Sequence, residues 1–189
     1  MRRTAKVMEN PKYLTLNDKE YAILRLLGRG KGGYTWLAER DGVQYALKQI
    51  HHEPCDYYQF GDKLAAELGD YERLSALHVP MPALLEVDRE AERLLKELLP
   101  GGTVYQLVLR DALEPWHWEQ VRALSQSLRE AGLNIDWFPT NFMCRDGTLY
   151  YVDYECNGYM EQWSFENWGM RYWSRTAEFD AYAREHGDL

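Results

Sequence analysis

The alternation of apolar and polar positions marks out the elements of this chain. Residues 21–27 (YAILRLL) form a short apolar run stopped by Gly28, and residues 34–39 and 43–50 flank Asp41-Gly42, a dipeptide that favours a type I′ hairpin turn. Three antiparallel strands are predicted. From about Tyr57 to Leu77 the positions Leu64, Leu68, Tyr71, Leu74 and Leu77 fall at three- and four-residue spacings, which predicts one amphipathic helix ended by Pro80 and Pro82. Strands at 83–87 and 93–99, joined by the acidic turn from Asp88 to Glu92, complete a predicted five-stranded antiparallel sheet with one helix.

Pro100-Gly101-Gly102 then interrupts the pattern, and a lobe boundary is placed here, giving lobes 1–99 and 100–189. Glu114-Pro115 opens a helix predicted to reach about Glu130, with proline in the first turn, where its missing N–H costs nothing. A loop at 132–141, strands at 142–145 and 149–153 around Asp146-Gly147, and a helical, aromatic tail follow. In that tail Trp163, Trp168 and Trp173 recur every five residues, a spacing that fits neither a helix stripe nor a strand and is read as core and interface packing. The fold class is α+β, with a small, mainly helical second lobe.

Composition narrows the functions. With 189 residues, 46% hydrophobic and 28% charged, the chain has material for one substantial domain or two small lobes. Its net charge of −8, from 22 basic and 30 acidic residues, argues against nucleic acid or an anionic membrane as principal partner, and Arg2, Arg3 and Lys6 are too few to reverse this. No apolar stretch approaches the ~20 residues of a membrane span, and the basic start is not followed by an apolar signal segment, so a cytoplasmic location is expected. Cys55, Cys144 and Cys156 lack any C-x-x-C pair, which predicts reduced, packed thiols rather than disulfides or zinc ligands.

The candidate chemistry begins at "LGRGKGGYTWLAERDGVQYALKQI", residues 27–50. Gly28, Gly30 and Gly33 satisfy G-x-G-x-x-G, a weak pattern that context must decide. The glycines lead into Tyr34-Thr35-Trp36-Leu37, a strand rather than the helix of a dinucleotide-binding turn. Tyr34-Thr35 also stands where a Walker motif needs lysine and a hydroxyl residue. What remains is a glycine turn between two strands, whose backbone N–H groups can approach phosphate because no Cβ intervenes. Lys48 then closes the apolar strand Tyr45-Ala46-Leu47 and needs a charged partner.

This arrangement resembles the N-lobe of protein kinases, through Leu27-Gly28-x-Gly30-x-x-Gly33 and Ala46-Leu47-Lys48. The resemblance implies an acidic partner for Lys48 on the following helix. Glu67 is preferred, on the face shared with Leu64, Tyr71 and Leu74, with Asp70 and Glu72 as competitors. It also implies a catalytic loop, and "NIDWFPTNFM" (134–143) carries Asp136 and Asn141 at the spacing of H-x-D-x-x-x-x-N, while "YVDYE" (151–155) puts Asp153 where kinases carry D-F-G. Two loops joined by a glycine-turned hairpin are expected to bring these three residues to one end of a small sheet. The hinge strand that would hold adenine falls at Glu97 to Leu99.

The implied function is ATP- and Mg²⁺-dependent phosphoryl transfer in a two-lobed kinase-like fold. ATP lies between the lobes, Gly28, Gly30 and Gly33 cover its phosphates, and Ala46, Glu97 and Leu99 belong to the nucleotide site. Lys48 paired with Glu67 holds the α and β groups, Asn141 and Asp153 bind metal, and Asp136 acts as base toward a hydroxyl on a protein Ser/Thr or a small molecule. The sequence departs from the family at Asn134 (usually histidine), at Phe138, where many members place lysine, and at Glu155, which replaces glycine. Only 34 residues follow Glu155, with no Ala-Pro-Glu, so the chain is similar in economy to RIO-type and other small bacterial kinase-like proteins. A pseudokinase that binds nucleotide or a partner through its aromatic tail is the alternative, favoured by Phe138 and Glu155.

Overall fold

Positive-φ residues set the turns on which the first half of the chain is built. In the computed structural model, which describes residues 11–53 and 61–187, strand β1 (Tyr13–Leu16) meets β2 (Lys19–Arg29) across Asn17 and Asp18, at φ 45° and 62°. β3 (Gly33–Arg40) meets β4 (Val43–Ile50) across Asp41 and Gly42, at 54° and 76°. Positive φ at both turn positions matches the right-handed twist of the flanking strands. β5 (Leu84–Asp88) and β6 (Arg93–Glu97) complete one antiparallel sheet in the order β1-β2-β3-β4-β6-β5. The sheet therefore has six strands rather than the expected five. The extra strand, YLTL, precedes the apolar run at 21–27 and is only four residues long.

Helix α1 (Lys63–Ala76) lies between β4 and β5. Its expected start at Tyr57 falls outside the described residues, as do Cys55 and the cluster Arg2, Arg3 and Lys6. The chain divides into two compact units: residues up to Leu64 with Ala83–Leu98, and Ala65–Pro82 with Leu99 onward. In the first, Tyr34, Trp36 and Ala38 of β3 pack with Leu47, Leu95, Leu16 and Tyr21 on one face of the sheet. Trp36, Leu47 and Leu95 are register partners in sequence across three strands, so one row of side chains anchors this core.

The second unit contains α2 (Val104–Leu109), α3 (Pro115–Glu130), and two two-stranded ribbons. One pairs β7 (Leu133–Ile135) with β10 (Cys156–Gly158); the other pairs β8 (Phe142–Arg145) with β9 (Thr148–Tyr151) across Asp146-Gly147, both at positive φ. α2 was not expected; its start is fixed by a reciprocal capping box between Thr103 and Gln106. The tail makes short 3₁₀ turns at 161–163 and 169–171 before α4 (Ala177–His186). Its tryptophans divide by role: Trp173 is fully buried and donates its Nε1–H to Trp137 O (2.8 Å), Trp168 is half-buried, and Trp163 is exposed. Among the described residues no helix is long and apolar enough to cross a membrane.

Candidate functional site

The glycine hairpin of the first unit gives each glycine a different task. Gly30 N–H donates to Gly33 O (2.9 Å), closing the turn between β2 and β3. A Cβ at Gly33 would stand 2.4 Å from Gln49 O, so the passage of β4 demands glycine there; nothing lies within 4 Å of a Cβ at Gly28 or Gly30. Gly32, which the pattern G-x-G-x-x-G leaves out, is where the lysine arrives. A Cβ on it would lie 3.7 Å from Lys48 Nζ.

Lys48 sits in β4 opposite Thr35 and Leu94. Because Leu47 packs in the core, strand alternation puts Ala46 and Lys48 on the other face of the sheet. Glu97 is the last residue of β6; its N–H donates to Ala83 O (2.9 Å) and its carboxylate accepts from Ala83 N–H (3.2 Å). The strand expected to run on to Leu99 thus stops at Glu97, ahead of Pro100, which has no N–H to extend a ladder. Leu99 is buried.

In the second unit the expected polar residues leave the ends of the two ribbons. Phe142 pairs with Tyr151, and Val152 N–H donates to Asn141 O (2.9 Å), so Asn141 and Asp153 emerge at the same end of β8–β9. Ile135 pairs with Cys156, which makes Asp136 and Glu155 the next residues outward on β7–β10. One small sheet was expected here, and two ribbons are found, because the short strands Leu133–Ile135 and Cys156–Gly158 pair with each other instead of joining β8 and β9.

Tyr151 links the ribbons. Its buried hydroxyl donates to Glu155 O (2.9 Å) and meets the backbone of Asp136. Burial first, then the charges of Asp153 and Asp136, hold this phenol well above the usual tyrosine range. Nothing in the sequence marked Tyr151 beyond its place two residues before Asp153.

The exposed Asp136 follows β7 directly, and its Oδ1 accepts from Phe138 N–H (3.0 Å) while its carbonyl accepts from Asn141 Nδ2 (3.4 Å). Asp153 Oδ1 accepts from Tyr154 N–H (2.9 Å). Asn134 is buried, accepting from Trp137 Nε1 and donating to Trp163 O, both at 2.8 Å, so it braces the loop against the tail. Phe138 packs its ring against Tyr182 (4.7 Å between centroids), Tyr172 (5.0 Å) and Trp168 (6.3 Å). Phe138 is thus a hydrophobic anchor for the tail.

On α1, Asp70 accepts from Cys156 N–H (3.0 Å) and pairs with Arg73, Glu72 is exposed, and Glu67 is buried. Of the three candidates, Asp70 has a structural task and Glu72 faces solvent. Among the described residues no group of three or more His, Cys, Asp or Glu side chains is gathered to hold a metal. No protein-family model and no curated protein sequence matches this chain.

Proposed function

We propose that the protein is an ATP- and Mg²⁺-dependent phosphotransferase of the protein kinase-like superfamily, in a minimal two-lobed form. The observation that carries this reading is the emergence of Asn141 and Asp153 at one end of the β8–β9 ribbon, with the carbonyl of Asp136 accepting from Asn141 Nδ2 (3.4 Å). Their order along the chain is that of a kinase catalytic loop and metal-binding aspartate.

Asn141 and Asp153 offer hard oxygens, which suits Mg²⁺; this ion needs only one or two protein ligands and completes its shell with phosphate oxygens and water. When bound, it would neutralise charge on the phosphates. Lys48, beside the hairpin tip, holds the α and β phosphates with Glu67 as its carboxylate partner. Gly28 and Gly30 let the hairpin backbone come close to phosphate, and Ala46, Glu97 and Leu99 flank the adenine. Asp136 takes the proton of the acceptor hydroxyl as its oxygen bonds to the γ phosphorus and ADP leaves. The acceptor hydroxyl belongs to a protein Ser/Thr or a small molecule.

ADP release from ATP in the presence of Mg²⁺ tests the assignment. Lys48→Ala and Asp153→Asn are each expected to abolish it while leaving the unfolding midpoint in place; an unchanged rate for either contradicts the reading. Phe138 and Glu155 favour a second reading, a pseudokinase. The first is spent on tail packing, and the second puts a carboxylate next to Asp136. Nucleotide binding without turnover in the unaltered protein would select it.

A further inference from the structure

The carbonyl oxygens at the tip of the glycine hairpin are captured one after another by His51, just past β4, and Lys63, the first residue of α1. Gly30 O meets His51 Nε2 (3.1 Å), Lys31 O accepts from Lys63 Nζ (3.3 Å), and Gly32 O accepts from His51 N–H (3.4 Å). Lys63 is buried, at 7% exposure, and its ammonium also donates to His51 O at 2.6 Å, so one cation ties the tip to the end of β4. The imidazole is held as well. Glu53 N–H donates to His51 Nδ1 (3.3 Å), which leaves Nε2 as the protonated nitrogen that donates to Gly30 O.

A second layer supports the first. Tyr34 packs against the His51 ring at a tilt of 50° (4.9 Å between centroids) and donates its hydroxyl to Glu53, whose other oxygen accepts from Arg29 Nη2 (2.9 Å). These hydrogen bonds hold the Glu53 carboxyl below its usual range, Tyr34 contributing most and Arg29 next.

The peptide unit is planar and trans, so each N–H points away from the carbonyl before it. With the carbonyls of residues 30, 31 and 32 turned toward His51 and Lys63, the N–H groups of residues 31, 32 and 33 are turned to the other side. Successive N–H groups on one side of a turn make an anion-binding concavity. We propose that Lys63 is a positioning residue for phosphate binding: it clamps the carbonyls of the hairpin tip so that the backbone N–H groups of residues 31–33 face the phosphates. This rests on the nucleotide reading above, but Lys63 carries no role in it. Two main-chain carbonyls converge on the same buried Nζ.

Lys63→Met keeps most of the length of the side chain and removes the charge, Lys63→Arg keeps a donor, and His51→Ala removes the imidazole bonds to Gly30 O and Glu53 N–H together with the ring contact to Tyr34. Amide hydrogen exchange in the nucleotide-free protein reads the clamp directly. The amides of residues 30 and 51, bonded to Gly33 O and Gly32 O, are expected to exchange about tenfold faster in Lys63→Met and in His51→Ala, with the rest of the sheet unchanged and Lys63→Arg close to the parent. Equal exchange in parent and both variants overturns the clamp, whether or not nucleotide binds.

Calorimetry then reads its purpose. In Lys63→Met the Kd for ATP is expected to rise about tenfold while that for adenosine stays constant, because only the phosphates meet the tip. An equal loss for both ligands, or none for ATP, overturns the phosphate role. Absence of ATP binding in the parent protein removes that role together with the nucleotide reading, and the exchange result still decides the clamp.

Discussion

Tyr151 concentrates the chemistry of the second unit in one hydroxyl. It bonds the carbonyl of Glu155, meets the backbone of Asp136, and feels the charges of Asp153 and Asp136. Tyr151→Phe is expected to destabilise the protein by about 1–3 kcal/mol, since Glu155 O loses a buried donor. Urea unfolding measures this, and a loss below about 0.3 kcal/mol would show the link to be incidental. The thiols of Cys144 and Cys156 give a second expectation at this scale. Burial raises each from the usual 9.0 to about 11. Above 9 the unfolded chain releases these protons first, so their contribution to stability is complete below 9 and is lost as pH rises through about 11. Thermal unfolding should hold a level midpoint up to pH 9 and fall beyond it, and a midpoint that stays level through pH 11 would contradict the burial of both.

Among elements, the glycine hairpin separates requirement from permission. Gly33→Ala puts a methyl 2.4 Å from Gln49 O and is expected to destabilise by about 1–3 kcal/mol. Gly28→Ala meets nothing within 4 Å and should stay within about 0.5 kcal/mol of the parent. Denaturant melts of the pair check this, and equal midpoints would show that β4 can yield. The hairpins around Asp41-Gly42 and Asp146-Gly147 were legible in the sequence because the turn dipeptide dictates the backbone. β1, β7 and β10 were not, since three- or four-residue strands are too short to show a period. α2 left one signal, the Thr103 to Gln106 capping pair, and it was passed over. For the candidate site, Asp136, Asn141, Asp153 and Lys48 were legible as polar residues in a fixed order. Gly32, Tyr151 and Lys63 were not, because what marks them is their spatial neighbours: Lys48 Nζ, the Glu155 carbonyl, and the hairpin carbonyls.

For the whole molecule, the proposed phosphotransferase chemistry draws on two sets of residues, one in each compact unit. The first supplies the glycine hairpin and Lys48, and the second supplies Asp136, Asn141 and Asp153. Neither set alone defines a phosphotransferase: a glycine hairpin beside a lysine is also a structural turn, and an aspartate at a strand end is also a turn former. Metal-dependent nucleotide affinity tests both sets at once, because the proposed metal ligands belong to one set and the glycine hairpin to the other. Calorimetric titration of ATP with and without Mg²⁺, repeated on Asp153→Asn, is therefore the most direct measurement. The account predicts ATP binding that strengthens with Mg²⁺ in the parent protein and loses that response in Asp153→Asn; no ATP binding in the presence of Mg²⁺, or an equal response to Mg²⁺ in the variant, would contradict it.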